Sequence, residues 1–138
     1  VATPTPADPI ILNADGSISV LVYQGRTFRL EATNEGLTDY LGYKARFGIT
    51  DKYGNALLAS ANSEPSGVGV GTITFAPAVD PDTGLPAVGT TLFITIPDEV
   101  TETITAKLGK LDLVLEEPSG AEVPMLVGDW VLYKKVTP

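Results

Sequence analysis

The chain contains no cysteine and no histidine. That removes thiol nucleophiles, Ser-His-Asp triads, zinc fingers and any His-ligated metal site. It also removes a disulfide framework. Cations are scarce, with 9 Lys and Arg against 17 Asp and Glu, and none falls between Tyr53 and Ala106. Such a surface repels phosphate backbones, so nucleic acid is not an expected partner. Apolar runs are too short to cross a bilayer, and no membrane partner is expected. The opening residues show no charged segment leading into an apolar one, so no secretory signal is read there.

What remains is a chain of 138 residues, 43% of them hydrophobic, with 14 glycines and 11 prolines. That length and composition support one domain with a real core. Glycine and proline fall mainly between the apolar runs, which suits short strands joined by turns. The segment VATPTPADP carries Pro4, Pro6 and Pro9. Proline fixes φ and removes a donor, so residues 1–9 read as an extended arm, which either lies along a neighbouring subunit or frays as termini commonly do. Residues 10–138 read as the folded domain.

Alternation at period two is the main signal. IILNADGSISVLVY reads as a short strand, an Asp15-Gly16 turn and a strand from Ile18 to Tyr23. In RTFRLEAT, Phe28, Leu30 and Ala32 point one way and Arg29, Glu31 and Thr33 the other. YKARFGIT repeats this, with Tyr43, Ala45, Phe47 and Ile49 inward and Lys44 and Arg46 outward. ALLAS and TITFA are further strands. PAVDPDTGLPAVGT reads as a long loop with a hairpin tip at DPDTG, and TLFITI as a strand buried on both faces. Asp98 is placed to cap a helix of one to three turns, with Val100 and Ile104 on one side. Leu111, Leu113 and Leu115 form one face of a strand, a Pro-Ser-Gly turn follows, and one or two strands close the chain, with a bulge expected at Gly128. This is an all-β protein. Some seven to nine short antiparallel strands and one short helix fit an immunoglobulin-like sandwich. The Cys-Trp-Cys pattern of true immunoglobulins is missing, and the single Trp130 is expected to anchor the core or an interface.

Three stretches invite a chemical reading. SGVGVG resembles a phosphate-cradling loop, but a strand follows where a helix is needed and no Lys is near. NADGS and DPDTG place oxygens around turns, yet neither meets the calcium-loop pattern, and capping of their own turns explains them. Paired carboxylates for glycoside hydrolysis carry no signal among so many acids. No catalytic, cofactor or metal residue is assigned.

The order of features is more telling: YQGRTFRLEAT, LTDYLGYKARFGITD, GNALLA, a Gly-rich turn with TITF, LFITIPDEVTETITA, and GKLDLVLEEPSGAEVPMLVGDWVLYKKVTP. The succession resembles small structural proteins of tailed bacteriophages. It is similar to the N-terminal immunoglobulin-like domain of their baseplate upper proteins. Gln24, Gly25 and Phe28 match the opening strand, and Leu41, Gly42, Tyr43, Ala45, Arg46 and Ile49 the second. Residues 96–106 match the helical segment, and residues 111–120 and 125–136 the closing hairpin. Coverage is about residues 24–138. The loop at 76–90 is longer than the pattern, and the arm has no counterpart.

The resemblance implies a virion component without enzymatic activity or cofactor. Such a protein docks, in multiple copies or as a homo-oligomer, on other virion proteins and helps attach receptor-binding proteins. Pro4, Pro6, Pro9, Lys44, Arg46 and Trp130 are the expected subunit-docking residues. A capsid decoration protein, bound to the major capsid protein, is the alternative. A carbohydrate-binding module is a further one, with Tyr23, Tyr40, Tyr43, Tyr53 and Tyr133 as its candidate aromatics.

Overall fold

The structure is a computed structural model that describes residues 10–12, 18–64, 71–80 and 82–134. The elements are β1 (Ile10–Leu12), β2 (Ile18–Tyr23), β3 (Phe28–Asn34), β4 (Lys44–Thr50), β5 (Leu57–Asn62), β6 (Gly71–Val79), β7 (Pro86–Ile96), α1 (Asp98–Thr101), β8 (Leu108–Glu116) and β9 (Glu122–Tyr133). The protein is all-β. One hydrogen-bonded sheet of nine strands runs in the order β1-β2-β9-β8-β4-β5-β6-β7-β3.

That sheet cannot be flat. Phe28 on β3 and Phe47 on β4 stack with ring centroids 5.8 Å apart. Their strands are four steps apart in the order, and four steps of a flat sheet span about 19 Å. The sheet therefore folds over so that β3, β6 and β7 face β2, β4, β8 and β9. The bend lies where β5 meets β6, which share only the pairs Ala61↔Gly71 and Asn62↔Thr72. This junction and the β2–β9 pair run parallel, while the other ladders are antiparallel. The expectation of antiparallel strands throughout is corrected there. Alternation reports which face a residue takes, not the direction of the strand beside it.

The core between the two leaves is built by the alternating positions. Phe28 and Leu30 on β3, Ala45, Phe47 and Ile49 on β4, and Leu111, Leu113 and Leu115 on β8 are all buried. Each such Leu or Ile contributes roughly 1.5–3 kcal/mol by leaving water. Lys44 and Arg46 point outward, as their parity requires.

Four local expectations are corrected. The segment 76–90 is not a loop: β6 and β7 extend into it, leaving a tip that Asp80 and Leu85 close by a backbone bond of 2.8 Å. β7 buries Leu92, Ile94 and Ile96 on one face of its apolar run, and Phe93 on the other face is 37% exposed. Pro97, not Asp98, occupies the N-cap of the single-turn helix. The Asp98 carboxylate accepts instead from the Glu99 N–H at 3.0 Å. The bulge lies at Met125, since Leu113 pairs with Leu126 and Val114 with Pro124, while Gly128 pairs regularly with Leu111. Pro124 has no N–H for the ladder, so the register breaks beside it.

Thr101 ties α1 down. It is fully buried, and its hydroxyl donates to the Arg26 carbonyl at 2.7 Å. β7 thus runs from the 80–85 hairpin at one end of the sheet to α1 at the other, about 35 Å for its 11 residues.

Candidate docking surfaces

The residues expected to dock fall into three groups. Pro4, Pro6 and Pro9 lie outside the described residues. Lys44 and Arg46 are on the surface, but both are engaged within the chain. Lys44 Nζ stands 3.6 Å from Glu64 and Arg46 Nη2 2.7 Å from Glu122. Trp130 is fully buried, and its indole N–H donates to the Thr50 carbonyl at 2.6 Å. A side chain without accessible area has nothing to offer a partner. Trp130 is a core anchor, the first of the two roles expected for it.

The anchor depends on Gly109. A Cβ there would overlap the Thr50 carbonyl oxygen and lie 2.5 Å from the indole nitrogen. Trp130 spans β8 to reach β4, so it holds β4, β8 and β9 together beside the 51–56 turn. Asp51 organises that turn. Its carboxylate accepts the backbone N–H groups of Asn55 at 3.0 Å and Tyr53 at 3.1 Å. The Asn55 bond is the largest of the causes that hold its pKa below the ordinary 3.8.

The turn presents Lys52 and Tyr53 to solvent, with Tyr53 71% exposed. The Lys52 ammonium lies 5.0 Å from the Tyr53 ring centroid. Residues 106–108 come alongside, because the next residue, Gly109, packs directly against the backbone of Thr50 and Asp51, and the Leu132 N–H donates to the Lys107 carbonyl at 2.8 Å from the other side. A recess of about 400 Å³ is lined by Asp51, Lys52, Tyr53, Ala106, Lys107 and Leu108. Lys110 lies next along β8, and Leu108 is half exposed. Among the described residues, Lys52, Lys107 and Lys110 form no ion pair. Sequence reading missed this corner because its two segments lie far apart in the chain. Its only sequence signal was the exposed-turn pattern DKYGN.

The opposite end carries the β6–β7 hairpin. β3 accompanies β7 only as far as Asn34↔Thr90, and Gly89, at φ +110°, has backbone of Asn34 and Glu35 where a Cβ would sit. Beyond that point no other strand pairs with the hairpin among the described residues. It exposes Val79, Leu85 and Val88, at 55%, 63% and 70%, with Asp80 and Asp82 in its tip. The Asp80 carboxylate accepts from the Asp82 N–H at 2.9 Å, so it caps its own turn. Among the described residues no cluster of three or more metal-ligating side chains occurs.

A third feature lies on the outer face of β4 and β8. Gly48 leaves a cleft of about 510 Å³, lined by Leu57, Ser60, Asp112, Val114 and the Arg46–Glu122 pair among others. Of its two carboxylates, Glu122 is already bound by Arg46. The tyrosines do not form an exposed row. Tyr40 stacks on Phe75 at 5.5 Å, Tyr23 tilts against Tyr133 at 5.3 Å, and Tyr43 is half-buried.

No protein-family model matches the chain, and no curated protein matches it.

Proposed function

We propose that the chain is a non-enzymatic structural protein of a tailed-bacteriophage particle. It is an immunoglobulin-like sandwich in the tail or baseplate that docks on neighbouring virion subunits and helps attach receptor-binding proteins. Strand order supports the fold part of this reading. Variable-type immunoglobulin domains carry strands G, F and C with added strands beside C in one leaf, and D, E and B in the other. Here β9-β8-β4-β5 and β6-β7-β3 follow that order. Fold alone does not carry function. The link to the virion rests on the sequence resemblance, and the docking role on the surface.

The observation that carries docking is where the exposed apolar side chains gather. Val79, Leu85 and Val88 stand on the β6–β7 hairpin at one end and Tyr53 and Leu108 beside the 51–56 turn at the other, while Val123, Val127, Val131 and Tyr133 lie along β9. Monomeric surfaces seldom keep such groups together without a partner. The prediction is that purified particles of the encoding virus contain the chain, and that a variant lacking residues 1–9 folds but enters particles less well. Mass spectrometry of particles gives the copy number. Roughly tens of copies or fewer match a tail position and hundreds a capsid decoration. Absence from the particle defeats the virion reading.

A further inference from the structure

The two ends of the domain are complementary. The corner at Lys52, Tyr53, Lys107, Leu108 and Lys110 also holds Asp51, so it is net cationic as well as apolar, and its recess opens between the segments. The hairpin 79–88 is acidic and apolar, and it projects. They lie at opposite ends of the strands: the corner follows Thr50 at the far end of β4, whereas β6, which starts beside the other end of β5 at Ala61↔Gly71, carries the hairpin onward in the opposite direction, so one chain cannot bring its own pair together. Cations at the hairpin end do not neutralise it from within, because Lys44 and Arg46 are taken by Glu64 and Glu122. The ammonium groups of the corner have no ion-pair partner among the described residues.

We infer that copies of this chain associate head to tail. The 79–88 hairpin of one copy seats Leu85 and Val88 against Tyr53 and Leu108 of the next, with Asp80 and Asp82 facing Lys52, Lys107 and Lys110. The occupant of the recess is thus a second copy, chosen by charge complementarity and by matching apolar projection and hollow. The two surfaces differ, so the contact is heterologous. It generates a ring or an open stack, not a closed two-fold dimer. Charge supplies orientation and speed of encounter, and the apolar groups supply the contact. The inference rests on the reading of the chain as a multi-copy docking module and names the surfaces it uses.

The absence of cysteine makes the test clean. Tyr53→Cys and Leu85→Cys variants are prepared separately, checked for folding by circular dichroism, and mixed under mild oxidation. Both positions are well exposed, at 71% and 63%, so neither change touches the core. The mixed disulfide is expected to form about tenfold faster than either variant links to itself, and to slow in high salt. Adding Lys52→Glu and Lys107→Glu to the first variant should abolish that advantage. Adding Asp80→Lys and Asp82→Lys to the second should restore it. A mixture that links no faster than its components overturns the head-to-tail contact. Preferential 53-to-53 linkage overturns it in favour of a two-fold contact. A chain found in particles that fails the cross-linking test leaves the virion reading standing and removes only this interface. Linking by a chain absent from particles does the reverse.

Discussion

Gly109→Ala tests the packing that holds the basic corner in place. The added methyl meets the Thr50 carbonyl oxygen on one side and the indole nitrogen of Trp130, 2.5 Å away, on the other. Neither neighbour is the far end of a flexible chain. One is backbone of the paired strand, and the other is a ring with no accessible surface. Overpacking of this kind costs about 1–3 kcal/mol. If the ring moves, the buried indole N–H loses its acceptor at Thr50, which costs about 1–3 kcal/mol more. The expected loss is therefore about 4 kcal/mol, or roughly 10–20 °C in melting temperature for a domain of this size. Trp130 is the only tryptophan, so its fluorescence reports on this site alone. The emission should shift to the red before global melting. Repeating the change in a Trp130→Phe background apportions the cost. A penalty that shrinks there comes from the indole, and one that persists comes from the Thr50 carbonyl. A Gly109→Ala variant with unchanged emission that melts within about 3 °C of the parent refutes the reasoning.

Phe47→Asp places an unpaired charge against Phe28 in the core and should leave the chain unfolded by circular dichroism at room temperature. A folded spectrum would mean that the strand faces are reversed. Arg46→Ala removes an exposed ion pair, so it should cost no more than about 1 kcal/mol and move a chemical-denaturation midpoint little. Asp51 has a depressed pKa, so its charge stabilises the fold fully above the unfolded value of 3.8 and loses that effect as pH falls through the folded value. Asp51→Asn should therefore melt below the parent near neutral pH, and a melting series in acid should show the gap close. A gap independent of pH would assign the effect to shape and not to charge.

A docking role for this molecule needs stiffness more than chemistry. Each exposed group is backed by hydrogen bonding: Tyr53 by the Asp51 turn and the Trp130–Thr50 bond, and the hairpin by the β6–β7 ladder, Thr72↔Thr95 through Val79↔Pro86. Side chains held this way lose less freedom on binding than side chains on a loose loop. Charge reversal at the tips should therefore alter association while leaving the melting temperature nearly unchanged.

Period two was enough to place Phe28 and Leu30, the inward face of β4, and Leu111, Leu113 and Leu115, because the side a strand residue faces is decided by its neighbours in sequence. The same local logic set Lys44 and Arg46 outward. It could not show that Glu64 and Glu122 reach them, since Glu122 lies 76 positions from Arg46. Nor could it join Trp130 to Thr50 across 80 positions, or bring Lys107 beside Lys52. Strand direction, the fold-over of the sheet and the far reach of β6 and β7 were invisible for the same reason. Alternation is a property of one strand, whereas pairing, ion-pair partners and the surface left uncovered depend on which strands meet. That was decided only when burial of the apolar faces brought both leaves together.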